Sequence, residues 1–141
     1  MLINNLEIDD FTRAYIECAL WSSTDNGYLG EGHPDNDPSG ENTGGNPLDD
    51  HFDIDDLPEE TLRKMAKDCD DFRDYVEEAG LDFGELDDEQ AGHDFWLTRN
   101  HHGSGFWDRG LGELGDKLSD AAHSFGDVYL YVGDDGKVYQ G

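Results

Sequence analysis

The stretch from Asp56 to Gly80 constrains the fold more than any other part of the chain. Leu62, Met65, Ala66, Cys69, Phe72 and Val76 recur at intervals of three and four residues, the period of one helix face. Asp56-Leu57-Pro58-Glu59 opens the helix: Asp56 is placed to cap it and Glu59 takes the reciprocal capping-box position. Pro58 falls in the first turn, where its missing N–H costs nothing. Gly80 supplies the stop. The opposite face carries Glu60, Lys67, Asp71, Asp74 and Glu78. An apolar face of this length needs a core to cover it, and 141 residues suffice for one domain that buries one.

Two further helices are predicted. Asp9 or Asp10 caps the first, which runs to about Ser22 with Phe11, Ala14, Tyr15, Cys18 and Trp21 (or Ala19) on one face. The third covers about Leu111 to Ser124, with Leu111, Leu114, Leu118, Ala121, Ala122 and Phe125 in one stripe. Residues 23–56 read as a long acidic loop rich in Gly and Pro. Asp87, Asp88 and Glu89 favour a helix N-terminus within a short turn or helix from Leu81 to Gly92. Phe95 to Thr98 reads as a strand, and His101 to Gly110 as a glycine-bearing loop. Val128 to Val132 alternates, Gly133-Asp134-Asp135-Gly136 turns, and Val138-Tyr139 returns, which is a hairpin. The expectation is an α+β domain of about three helices with a small antiparallel sheet, the strand near Phe95 joining the C-terminal hairpin.

Charge narrows the function. Thirty-five acids against nine Lys and Arg give a formal net charge of -26. Duplex phosphates would repel such a surface, so direct nucleic-acid binding through a basic face is excluded, and anionic membranes are disfavoured. Residues 1–90 carry 27 acids and 5 basic residues; residues 91–141 carry 8 and 4. Any electrostatic function therefore belongs mostly to the first part. No apolar run approaches the ~20 residues of a membrane span. The first ten residues lack signal-peptide character, so a cytoplasmic location in the host cell is the default expectation. Cys18 and Cys69 fall on apolar helix faces and read as buried thiols, not as a zinc site or a disulfide framework.

Two segments carry candidate chemistry. Gly92 to Gly110 holds two of the three tryptophans and three of the six histidines. His93, His101 or His102, with Asp94 or Asp108, form one candidate metal set, with His93 and His102 favoured, though no His-x-x-x-His spacing supports it. Asp94 with Arg99, and Asp108 with Arg109, also read as local ion pairs. In the loop, Asp35-Asn36-Asp37-Pro38-Ser39-Gly40-Glu41 matches the opening of a calcium loop, but its twelfth position is Asn46 in place of Glu. A complete EF-hand is rejected. A looser calcium or other divalent-cation site on Asp35, Asp37 and Glu41, with Asp49 or Asp50 as a further ligand, is the remaining cofactor candidate; otherwise none is expected.

The block from His93 to Gly141 resembles a C-terminal block in small uncharacterised acidic proteins of bacteriophages and prophages. The likeness is carried by His93-Asp94-Phe95-Trp96-Leu97-Thr98-Arg99-Asn100, by Gly105-Phe106-Trp107-Asp108-Arg109-Gly110 and by Val132-Gly133-Asp134-Asp135-Gly136-Lys137. It implies a phage setting and transfers no catalytic residues. With the charge, it leads to a non-enzymatic inhibitor that mimics DNA and docks in the basic groove of a host DNA-processing protein. The partner-binding residues would be Glu60, Asp71, Asp74 and Glu78. Twenty-six charges match roughly 44 Å of duplex at about one per 1.7 Å. The alternatives are a small metal-dependent enzyme built on the His93–Asp108 segment, or a minor virion or assembly component.

Overall fold

A computed structural model describes residues 2–3, 6–38 and 45–141. Within them lie four α-helices: α1 (Asp10–Ser22), α2 (Glu59–Glu78), α3 (Asp88–Arg99) and α4 (Glu113–His123). Four short strands, β1 (Leu2–Ile3), β2 (Leu6–Glu7), β3 (Leu130–Val132) and β4 (Val138–Gln140), make two separate antiparallel pairs. Leu2 faces Glu7 in the first pair, and Tyr131 faces Tyr139 in the second. The class is α+β, with one helix more than expected. No helix of the described residues is long and apolar enough to cross a membrane.

Local chemistry sets the helix ends. Asp9 caps α1, its side chain accepting the Thr12 N–H at 2.9 Å. The expected cap of α2 is corrected. Pro58 occupies the N-cap position without a side-chain bond, and Asp56 accepts the Asp53 N–H at 2.9 Å within a 3-10 turn over Ile54–Asp56. Asp56 is thus spent on the turn before the helix. At the other end Leu81 N–H bonds Val76 carbonyl and Gly80 N–H bonds Glu77 carbonyl, with Gly80 at φ +73°, so the glycine stop expected there is present.

The segment from Phe95 to Thr98 is helical, not a strand, and it does not join the hairpin. Asp87 caps α3 by accepting Gln90 N–H at 2.8 Å, which fulfils the expected helix start. From Ala91 onward nearly every residue is buried, whichever way it points. A helix enclosed on all sides has no polar face. Its apolar run Phe95-Trp96-Leu97 then shows no 3.6 period to separate it from a buried strand.

α3 is the centre of the molecule, and α1 packs on it most closely. A Cβ on Gly92 would stand 2.0 Å from the Phe11 carbonyl oxygen, so only glycine lets the two backbones meet here. Around the contact an aromatic core assembles. Phe72 of α2 stacks on Phe95 with centroids 4.0 Å apart and planes at 4°, while Phe11, Phe83, Phe106 and Phe125 close round them. Trp96 is buried and its indole N–H donates to Ser22 Oγ at 2.8 Å. Trp21, expected on the buried stripe of α1, lies off it and is 58% exposed; Ala19 takes the inward place. Trp107 keeps 49% of its surface exposed, so the tryptophans of Phe95-Trp96 and Phe106-Trp107 have different fates.

Candidate functional site

Side-chain and backbone hydrogen bonds organise the described part of the acidic loop. Asp25, buried, accepts Gly27 N–H at 2.7 Å and Asn46 N–H at 3.1 Å. Asn36 accepts Leu29 N–H at 2.6 Å and donates to Gly30 carbonyl at 2.7 Å. Of the calcium-loop set, Asp35 is exposed, with its backbone N–H turned to His33 Nδ1 at 3.1 Å. Asp37 is tied through its backbone to Gly27 carbonyl at 2.7 Å, and Glu41 lies outside the described residues. The loop then lies against the C-terminal turn. Tyr28 hydroxyl donates to Asp134 carboxylate, and Glu31 N–H donates to Asp134 carbonyl at 2.9 Å.

Several residues of the His- and Trp-rich segment are engaged in packing and ion pairs. Its ion pairs are exchanged relative to expectation. Asp94, fully buried, receives Arg109 in a two-pronged contact at 2.9 and 2.8 Å and Gln90 at 3.0 Å. Burial pushes its carboxyl pKa up. The His93 ring nearby, the Arg109 guanidinium and the Gln90 amide outweigh that and hold it below the usual carboxylate range. Arg99 turns the other way, to Asp68 at 2.9 Å, Tyr15 hydroxyl at 3.0 Å and the carbonyls of Phe125 and Gly126 at 2.9 Å each. A buried guanidinium needs this many acceptors, and they come from α1, α2 and the link after α4. His93 lies on α3 and His102 is exposed on the following loop, while His101 stacks on His123 at 4.4 Å. Among the described residues no three His, Cys, Asp or Glu side chains are grouped to hold a metal ion.

Charge is placed more unevenly than the two halves of the chain reveal. Residues 14–62 contain thirteen acids and no Lys or Arg, and residues 74–98 contain nine acids and again no Lys or Arg. The fold brings these two stretches together along a groove of about 710 Å³ between α1, the 3-10 turn at Leu48–Asp50 and the start of α3. Its walls carry Glu17, Asp49, Glu85, Asp87 and Glu89, with Trp21, Leu86 and Ala14 as the apolar part. No Lys or Arg lines it, and His93 is its one imidazole. Glu17 alone of the five is ion-paired, to Arg13 at 2.7 Å on the outer side of α1. Cys18 also reaches the groove, but burial pushes its thiol up to about 12, so it stays protonated and is no nucleophile.

No family model, curated protein or solved structure matches the chain.

The α2 face named from the sequence is partly neutralised. Asp71 is bound by Lys67 at 2.6 Å, Glu59 by Arg63 at 2.6 Å, and Asp70 by Arg73 at 2.6 Å. Glu60, Asp74 and Glu78 are exposed and unpaired among the described residues. Sequence reading missed the groove, because its residues come from segments far apart in the chain. The cation-free stretches were the available signal, with Trp21 at the edge of the α1 stripe.

Proposed function

We propose that the protein is a non-enzymatic, phage-encoded interaction protein that docks by its acidic surface on the basic groove of a host DNA-handling protein, in the place of duplex phosphate. The reading rests above all on the acids gathered in residues 14–62 and 74–98, which hold no Lys or Arg of their own, although Glu17, Glu59 and Asp94 pair with arginines outside them. Unpaired exposed carboxylates repel one another, and a basic partner relieves that repulsion. The 20 residues of α2 span about 30 Å, the length of about nine base pairs. The phage setting is supported by the resemblance of residues 93–141.

The test is competition. The protein, immobilised, is exposed to host lysate at low ionic strength and then eluted with a 20-base-pair duplex. DNA-handling proteins released by the duplex and by raised salt are the expected result. If the duplex releases nothing, and the Asp71→Asn, Asp74→Asn, Glu78→Gln triple variant retains the same proteins as the parent, the acidity is solvation and the reading is wrong.

A further inference from the structure

We infer that the groove between α1 and the start of α3 receives an arginine side chain from a basic peptide segment of the partner, the guanidinium lying on the Trp21 ring among the groove carboxylates. The inference rests on the reading of the protein as one that engages a basic partner, and it names the place and the chemistry.

The groove's volume, about 710 Å³, lies within the roughly 300–1,000 Å³ of ligand sites and admits a side chain with its flanking backbone. Trp21 is the anomaly within it. The other aromatics of α1, Phe11 and Tyr15, are fully buried, yet this larger ring is 58% exposed at the edge of a concave surface. The imidazole of His93 supports it at 6.1 Å between centroids. His93 Nδ1 is itself buried and unbonded, standing 3.6 Å from Asp94 Oδ1. An indole face attracts a cation through its quadrupole, and among side chains it is the strongest in doing so.

The walls select the same ligand. Asp49, Glu85 and Glu89 reach the groove from two distant segments and make no ion pair among the described residues. Like charges gathered in a concavity concentrate the field, so a cation gains more there than on a convex face. Arginine fits better than lysine. Its planar guanidinium stacks on an aromatic ring while its edge still bonds carboxylates, and it sheds water more readily than an ammonium. Ala14 and Leu86 offer apolar contact for its methylene stem.

The experiment titrates the isotope-labelled full chain with N-acetyl-Gly-Arg-Gly-amide, followed by NMR at low ionic strength, with the lysine and citrulline peptides alongside. The Trp21 indole and the amides of residues 85–90 should shift. Arginine should bind about threefold more tightly than lysine, and citrulline should not bind. Trp21→Ala should weaken binding about fivefold, and Glu85→Gln with Glu89→Gln about tenfold, the latter effect fading at 0.5 M salt. All three positions are exposed, and unchanged thermal midpoints would certify the folds. Equal affinity of parent and Trp21→Ala overturns the inference. Shifts confined to α2 near Asp74 and Glu78 also overturn it, while leaving the wider reading intact. No shift anywhere, with no duplex-displaced partner in the lysate experiment, removes both.

Discussion

Arg99 Nη1 stands 2.9 Å from the Asp68 carboxylate and 3.0 Å from the Tyr15 hydroxyl, although only 2% of the arginine is exposed. One buried cation thereby joins α1, α2 and α3, with only the Asp68 end open to water. Replacing Arg99 by Met leaves Asp68 without its partner and two carbonyls without their donors. The expected loss is about 3–5 kcal/mol in urea denaturation. Arg99→Lys should recover little, since one ammonium cannot serve four directions. Asp68→Asn should cost less than half as much, because Asp68 is partly solvated and the other acceptors remain.

The contact between Gly92 and Phe11 carbonyl predicts a second sharp response. Gly92→Ala raises intrinsic helix propensity, by about 1 kcal/mol in an open helix. Here the methyl would collide with backbone at 2.0 Å, so the variant should instead lose about 3 kcal/mol. Gly103→Ala, with nothing within 4 Å of the added carbon, is the control and should change stability by about 0.5 kcal/mol or less.

The tryptophans should separate cleanly. Trp96→Ala removes a buried ring and its bond to Ser22, for about 3–5 kcal/mol. Trp107→Ala should cost under about 1 kcal/mol. Acrylamide, a neutral quencher, should reach Trp21 and Trp107 in the native protein and spare Trp96.

Asp94 sets part of the acid limit. Its folded pKa is lowered, so its stabilisation is fully present above the ordinary carboxylate value near 3.9 and is lost as pH falls through the lower folded value. Asp94→Asn should therefore be less stable than the parent at pH 7, with the gap closing below about pH 4. Chemical denaturation at a series of pH values measures the gap. A constant gap down to pH 2 would place the loss in geometry and not in charge.

What could be read beforehand follows a physical pattern. α1, α2, α4 and the C-terminal hairpin lie against the core by one face, so period and end signals such as Asp9 and Gly80 reveal them. α3 is enclosed, and enclosure erases the period; only its cap, Asp87, was visible. Strands of two residues, as in β1 and β2, are too short for alternation to register. The ion pairs misled for another reason. Asp94 and Arg99 are five apart in sequence, but on a helix their side chains diverge and each takes a distant partner. The groove was hidden because carboxylates such as Asp49 and Glu85 meet only once α1 and α3 have packed.

The pairing of α1 with α3 also has a history in time. Sixty-five residues separate Ser22 from Asp88, and the chain must deliver them all before Phe11, Tyr15 and Ile16 find their main cover. At ~5–20 residues per second, that is roughly 3–13 s during which a nascent chain displays a sticky helix. The intervening residues include most of the protein's longest stretch without lysine or arginine, residues 14–62, dense in carboxylates. Like charges repel, so these carboxylates oppose contact between the exposed helices of neighbouring unfinished chains until α3 emerges.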